Sequence, residues 1–190
     1  MEAIAGSAAV SSLSRFAGIP DLVLGPLAQR PDADWYRAPR GRWCPAQIVQ
    51  HVALGIEYSA QTFESRRHHP PMQRRTRSAR QLLGYELVMH VGWLPSGFQA
   101  PTATRPAERP DRQAVERQLR DGVELFQTLA GELLPARGAD LFVKHPALGD
   151  LTLPEWLVFH RWHCAHHAKQ IRAAARRTRS QSACRTPRPP

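Results

Sequence analysis

Between residues 111 and 134 apolar side chains return at Val115, Leu119, Val123, Phe126, Leu129 and Leu133, with charged residues between them. A spacing of three to four puts all six on one stripe of an α-helix, whereas a half-buried strand needs alternation by two. The same period runs through Ile48, His51, Val52, Gly55, Ile56, Ser59 and Phe63, behind Trp43-Cys44-Pro45. Proline suits the first helical position, where the N–H it lacks would have no helical partner anyway. Cys44 is a weak N-cap, since Ser, Thr, Asp or Asn there would add ~1 kcal/mol. Another helix opens at Thr152-Leu153-Pro154-Glu155, a capping box, and is expected to run to about Ala175. A helical stretch is expected around Leu22 to Arg30, and a shorter apolar helix over Ala79 to Trp93. With no convincing strand alternation, the chain reads as all-α, a four-helix bundle whose sites are built inward from facing helices. Pro95, Pro101, Pro106 and Pro110 make residues 94–110 a long surface connection of the kind a crossover needs.

At 190 residues the chain holds one domain with a real core. Residues 1–18 are expected to be a partly ordered lead-in and 19–175 the helical domain. Residues 176–190, rich in Arg and Pro and almost without apolar side chains, are expected to be disordered. The net charge of +10 invites a nucleic-acid reading, so its distribution matters. Residues 66–80 and 172–190 each contain six arginines and no acid, leaving 14 of the 26 basic residues to face all 16 acidic ones. The body is therefore not a basic surface, and the clusters lack interleaved aromatics. Cys44, Cys164 and Cys184 are too few and too scattered for a disulfide framework and suit a reducing compartment. The first 18 residues lack the basic and apolar regions of a signal peptide, and no run approaches ~18 apolar residues, so a cytoplasmic protein is expected.

Three of the nine histidines fall within His163-Cys164-Ala165-His166-His167-Ala168-Lys169-Gln170. At ~100° per helical residue, His163 and His167 lie within ~40° of each other, so both can point at one atom. His166 faces a neighbouring helix or the rim. A pair of histidines at i and i+4 can hold a metal, and a catalytic site then needs a third ligand from elsewhere. His51, in mid-helix between Ile48, Val49 and Val52, is the candidate, or else a core histidine satisfied by a hydrogen bond. His160 shares the His167 face one turn earlier and is a candidate for the outer shell of such a site or for substrate contact. The same two roles are open to His145 in the loop before the last helix, alongside simple loop anchoring. Cys164 reads as a small buried hydrophobe, Gln170 as a helix brace, and His68 and His69 as solvated loop residues.

Three stretches, Trp43-Cys44-Pro45-Ala46-Gln47-Ile48-Val49-Gln50-His51, His145-Pro146-Ala147-Leu148-Gly149-Asp150-Leu151-Thr152 and His163-x-x-His166-His167-x-x-Gln170, resemble in order and spacing the DinB/YfiT-like superfamily over residues ~20–172. Cys44 stands where that pattern has Ser or Thr, and the Arg-rich insert and tail are extra. The resemblance implies an up-down-down-up bundle with a long crossover and a divalent metal, zinc or nickel, on His51, His163 and His167. It further implies a thiol S-transferase, using a low-molecular-weight thiol as co-substrate, or a hydrolase. The attacking group would be water or a thiolate at the metal, and the substrate a small molecule. A homodimer is compatible with this reading. The alternatives are a nucleic-acid or acidic-partner binder using the arginine clusters, and a non-catalytic metal-stabilised scaffold.

Overall fold

The computed structural model of the protein describes residues 11–38, 41–95, 97 and 99–183, with side chains up to residue 176. Residues 11–17 are helical and lead into α1 (Ile19–Leu24), followed by a short turn α2 (Asp32–Trp35). Then come α3 (Pro45–Ser65), α4 (Ala79–Glu86), α5 (Arg112–Arg137) and α6 (Leu153–Ala183). The expected start of α3 is observed, with Pro45 in its first turn. The Cys44 cap is reinforced because Gln47 Oε1 accepts the Cys44 N–H at 3.0 Å. The α6 capping box also forms: Glu155 takes the Thr152 N–H at 2.7 Å, and Thr152 Oγ1 takes the Glu155 N–H at 3.4 Å.

Cross-helix partners fix the directions. Along α3 and α5, Gln47 meets the carbonyl of Glu108, Glu57 meets Gln118, and Arg67 meets Glu132, so both numbers rise together and the helices run parallel. Along α3 and α6, His51 meets His163 while Ser59 meets His160, so these two are antiparallel. Phe16 contacts His160, and Gly25 and Arg30 share a shallow pocket with Arg172 and Ala175, which aligns the N-terminal helix with α6. The result is an up-down-down-up four-helix bundle whose two central helices are joined by the long crossover of residues 66–111. Its core is filled by Phe16, Ile19, Ile56, Phe63, Leu119 and Phe126, all fully buried.

Three expectations about local structure change. The first helix is centred earlier than Leu22 to Arg30, since Phe16 drives residues 11–17 into the core against Phe126 at 5.0 Å between ring centroids. The loop before the last helix contains an antiparallel hairpin, β1 (Phe142–His145) and β2 (Gly149–Thr152), paired from Phe142 with Thr152 to His145 with Gly149. Its strands show no alternation because β2 is buried throughout. Helix α6 continues to Ala183, beyond the expected end near Ala175, while the lead-in before residue 11 and the tail after 183 lie outside the described residues.

The expected helix over Ala79 to Trp93 is α4 followed by a wider π turn, Leu87–Val91. It stops at Gly92, whose φ of 70° is left-handed and whose missing Cβ would lie 2.7 Å from the Trp162 ring. Only a glycine fits there, on both backbone and steric grounds. Helix α4 buries none of its own residues in the bundle and lies across one end of it as part of the crossover.

The Arg-rich insert is a strap. Arg66 donates to the Phe142 carbonyl, Arg67 pairs with Glu64 and Glu132, Arg74 with Glu155, and Arg75 with the buried Asp150. Arg77 donates to the carbonyls of Leu148 at 2.8 Å and Asp150 at 2.9 Å, and its guanidinium lies 3.9 Å over the Tyr85 ring. The arginines that read as a detached basic cluster thus bind the crossover to the hairpin. Arg75 in turn holds the Asp150 carboxyl below its ordinary range, through hydrogen bonds and charge.

Candidate functional site

His51 projects from the middle of α3, and His163 and His167 from successive turns of α6. Their Nε2 atoms converge, His51 to His163 at 3.3 Å and His167 to His163 at 3.1 Å. One ligand atom from each of the three lies within 4.8 Å of the other two. The outer nitrogens are pinned. His51 Nδ1 lies 2.7 Å from the carbonyl of Thr104, which can only accept, so Nδ1 carries the proton and Nε2 is a bare lone pair. His167 Nδ1 lies 2.9 Å from Gln170 Oε1, with the same consequence.

Lone pairs of this kind repel unless something positive lies between them. One proton on His163 Nε2 cannot serve both neighbours fully. Burial lowers the basicity of all three imidazoles, His167 to about 3, and each charged form would also repel the others, so extra protons are a poor solution. A cation suits the donor set: for metal–nitrogen bonds of ~2.0–2.1 Å, nitrogens on a tetrahedral ion sit about 3.3 Å apart. The Phe159 ring stacks on His163, 5.3 Å between centroids and 15° from parallel, and Trp43 lies 5.0 Å from His51. Both restrict rotation of the imidazoles they touch.

These histidines line a cavity of about 790 Å³ between the end of the bundle and the crossover. Leu83, Leu87, Val88, Trp93 and Leu94 form the crossover wall. Arg42 and Arg80 also line it, and among the described residues no Asp or Glu does.

The other sequence candidates divide. His145 lines the cavity, and its Nδ1 accepts the N–H groups of Ala147 at 3.1 Å and Leu148 at 3.2 Å. That fixes the neutral tautomer with the proton on Nε2, and burial lowers its pKa to about 4. His160 is not brought to the group. It lies in the core between Phe16, Phe126 and Trp156, with Nε2 2.7 Å from Ser59 Oγ. Cys164 is fully buried, its thiol pushed up by burial, while His68 and His69 are exposed. His166, expected at a neighbouring helix or the rim, lines the cavity, and the Gln170 amide nitrogen donates to its Nε2 at 2.9 Å. Gln170 therefore joins His166 to His167. Sequence reasoning missed the Thr104 carbonyl, since a backbone acceptor leaves no mark in residue type. Arg80 was missed because it was read as one member of the basic cluster 66–80, and Arg42 because it is a lone charge in the loop before α3.

The bundle topology, with inward histidines from two facing helices at one end, defines a DinB/YfiT-like protein. The chain belongs to the DinB-like family described as "Protein of unknown function (DUF1569)", which it matches over residues 32–174. No curated protein matches it. Among solved structures it is similar to YfiT from Bacillus subtilis, described as a probable metal-dependent hydrolase with an unusual four-helix bundle topology. The similarity has a TM-score of 0.59 at 15% identity and covers 90% of this chain and 87% of the other.

Proposed function

We propose that the protein is a metal-dependent enzyme that holds a divalent ion, zinc or nickel, on His51, His163 and His167 and acts on a small molecule in the adjoining cavity. The observation that carries this reading is the convergence of three Nε2 atoms, two of them, on His51 and His167, left as lone pairs because the opposite nitrogens are committed to Thr104 and Gln170. An ion bound by three neutral ligands keeps its full charge and lowers the pKa of a water or thiol in an open position, supplying a nucleophile near neutral pH.

Thiol S-transfer is favoured over hydrolysis by the cavity wall, which among the described residues has no carboxylate to take a proton from water. A thiol starts at a pKa of about 8.5 and needs less help than water does. Hydrolysis is the second reading, supported by the description of YfiT. His145 Nε2–H has no protein partner among the described residues and lines the cavity, so it suits a hydrogen-bond donor to the substrate. The engagement of five of the six insert arginines in intramolecular hydrogen bonds and ion pairs weighs against a nucleic-acid role for that segment.

Metal analysis of the purified protein tests the proposal. The wild type should carry close to one ion per chain and His163→Ala a small fraction of that. Equal, sub-stoichiometric metal in both would end the metal reading. With metal present, conjugation of a thiol to a halogenated aromatic against cleavage of a nitrophenyl ester separates transfer from hydrolysis.

A further inference from the structure

Arg42 and Arg80 differ from the arginines around them. Arg67, Arg74, Arg75, Arg77, Arg112 and Arg137 each face an acid. Arg42 and Arg80 have no ion pair and no hydrogen bond among the described residues, although both line the cavity. Among the described residues they are the only fully charged side chains on a wall that is otherwise mostly apolar. Two unneutralised cations beside low-dielectric walls focus a positive potential into the cavity, and its floor adds no negative charge, since the histidines there are neutral.

Their position is the rim. Both are exposed, Arg80 in the first turn of α4 and Arg42 three residues before α3 begins. A volume of about 790 Å³ is within the range that encloses a drug-sized molecule.

We propose that the ligand of this cavity is an amphiphilic organic anion, with its charged head drawn to the arginines that line the cavity, Arg42 and Arg80, and its apolar body lying along the crossover wall. The proposal rests on the functional reading above only in taking this cavity as the substrate's place; the arginines act whether or not an ion is bound. It restricts the substrate class: neutral and cationic molecules of the same shape bind less well, because nothing on the wall replaces the lost charge pairing and no acid attracts a cation.

Isothermal titration calorimetry of the metal-loaded full chain at low salt, with decanoate and its neutral isostere decanamide, provides the test. Decanoate should bind at least tenfold more tightly. In the double variant Arg42→Gln, Arg80→Gln that preference should shrink to within twofold, while decanamide affinity and metal content stay at wild-type values. A wild-type preference near one, or a preference retained in the double variant, overturns the proposal. His163→Ala separates the two claims. A tenfold preference retained there supports the arginine assignment even if metal is lost, and its disappearance there, with the arginines intact, assigns the head group to the ion and overturns the proposal. The metal content of the same variant judges the metal reading independently.

Discussion

Gln170 holds two imidazoles with one amide, its oxygen on His167 Nδ1 and its nitrogen on His166 Nε2. Outer partners of this kind set the tautomer and aim of a ligand, and removing one typically costs 10- to 100-fold in metal affinity. Gln170→Leu should weaken zinc binding by about that factor, as read by competition with a chelator. Gln170→Glu keeps an acceptor for His167 and should recover most of the loss. His160 makes a different prediction. Ser59 donates to the Ile56 carbonyl and so accepts from His160 Nε2–H, leaving Nδ1 bare, buried and without a partner. Burial lowers its pKa from 6.5 to about 3. The unfolded chain therefore takes up this proton below pH 6.5 while the folded one does not until about pH 3, and stability falls as pH drops through that window. The slope contributed is ~1.4 kcal/mol per pH unit for one such group. Urea unfolding of metal-free protein at pH 7, 6 and 5 should show at least that slope, since the other buried histidines add to it in the same direction, and His160→Leu should flatten it by one proton; an unchanged slope would mean His160 is already charged in the fold.

At the scale of elements, α3, α5 and α6 were legible because each carries an apolar stripe at helical period and a recognisable start. The N-terminal helix was not, since Leu13 and Phe16 are a thin signal among small and polar residues and their burial depends on a distant partner, Phe126. The hairpin was hidden for the opposite reason: strands of four residues buried nearly throughout have no alternation to read. The three converging histidines were readable from phase and family order, while their supports were divided between the legible Gln170 and the silent carbonyl of Thr104. The strap is where composition misled, because an arginine run gives no sign of acids that face it across 70 to 80 residues. Arg77 tests its structural weight. Its side chain is only 12% exposed and caps the carbonyls of Leu148 and Asp150 beneath the hairpin turn. Arg77→Met keeps the stem and removes both charge-assisted bonds, each worth ~1.5–3 kcal/mol at most. The urea midpoint should fall by the equivalent of about 2 kcal/mol with an unchanged m-value.

For the molecule as a whole, the three histidines link α3 to α6 across 112 residues of chain, so an ion bound there stabilises the assembled bundle and not the separate segments. No helix among the described residues is long and apolar enough to cross a membrane. Zinc at 100 times its dissociation constant should add ~2.7 kcal/mol, which for a chain of this size is a rise of about 5–10 °C in Tm. His51→Ala should abolish the rise. The pH dependence of this shift distinguishes a buried centre from a surface one. Three exposed imidazoles with pKa near 6.5 would lose on the order of 10⁴-fold in affinity by pH 5, as protons displace the ion. Here burial, joined at His163 and His167 by mutual repulsion, lowers all three pKa values, His167 to about 3, so protons compete with the ion less than they would at exposed imidazoles. The zinc-induced rise in Tm at pH 5.5 should therefore be at least half of that at pH 7.5, measured against metal-free protein at each pH. A rise that vanishes at pH 5.5 would place the ion on solvent-exposed histidines such as His68 and His69, outside the bundle.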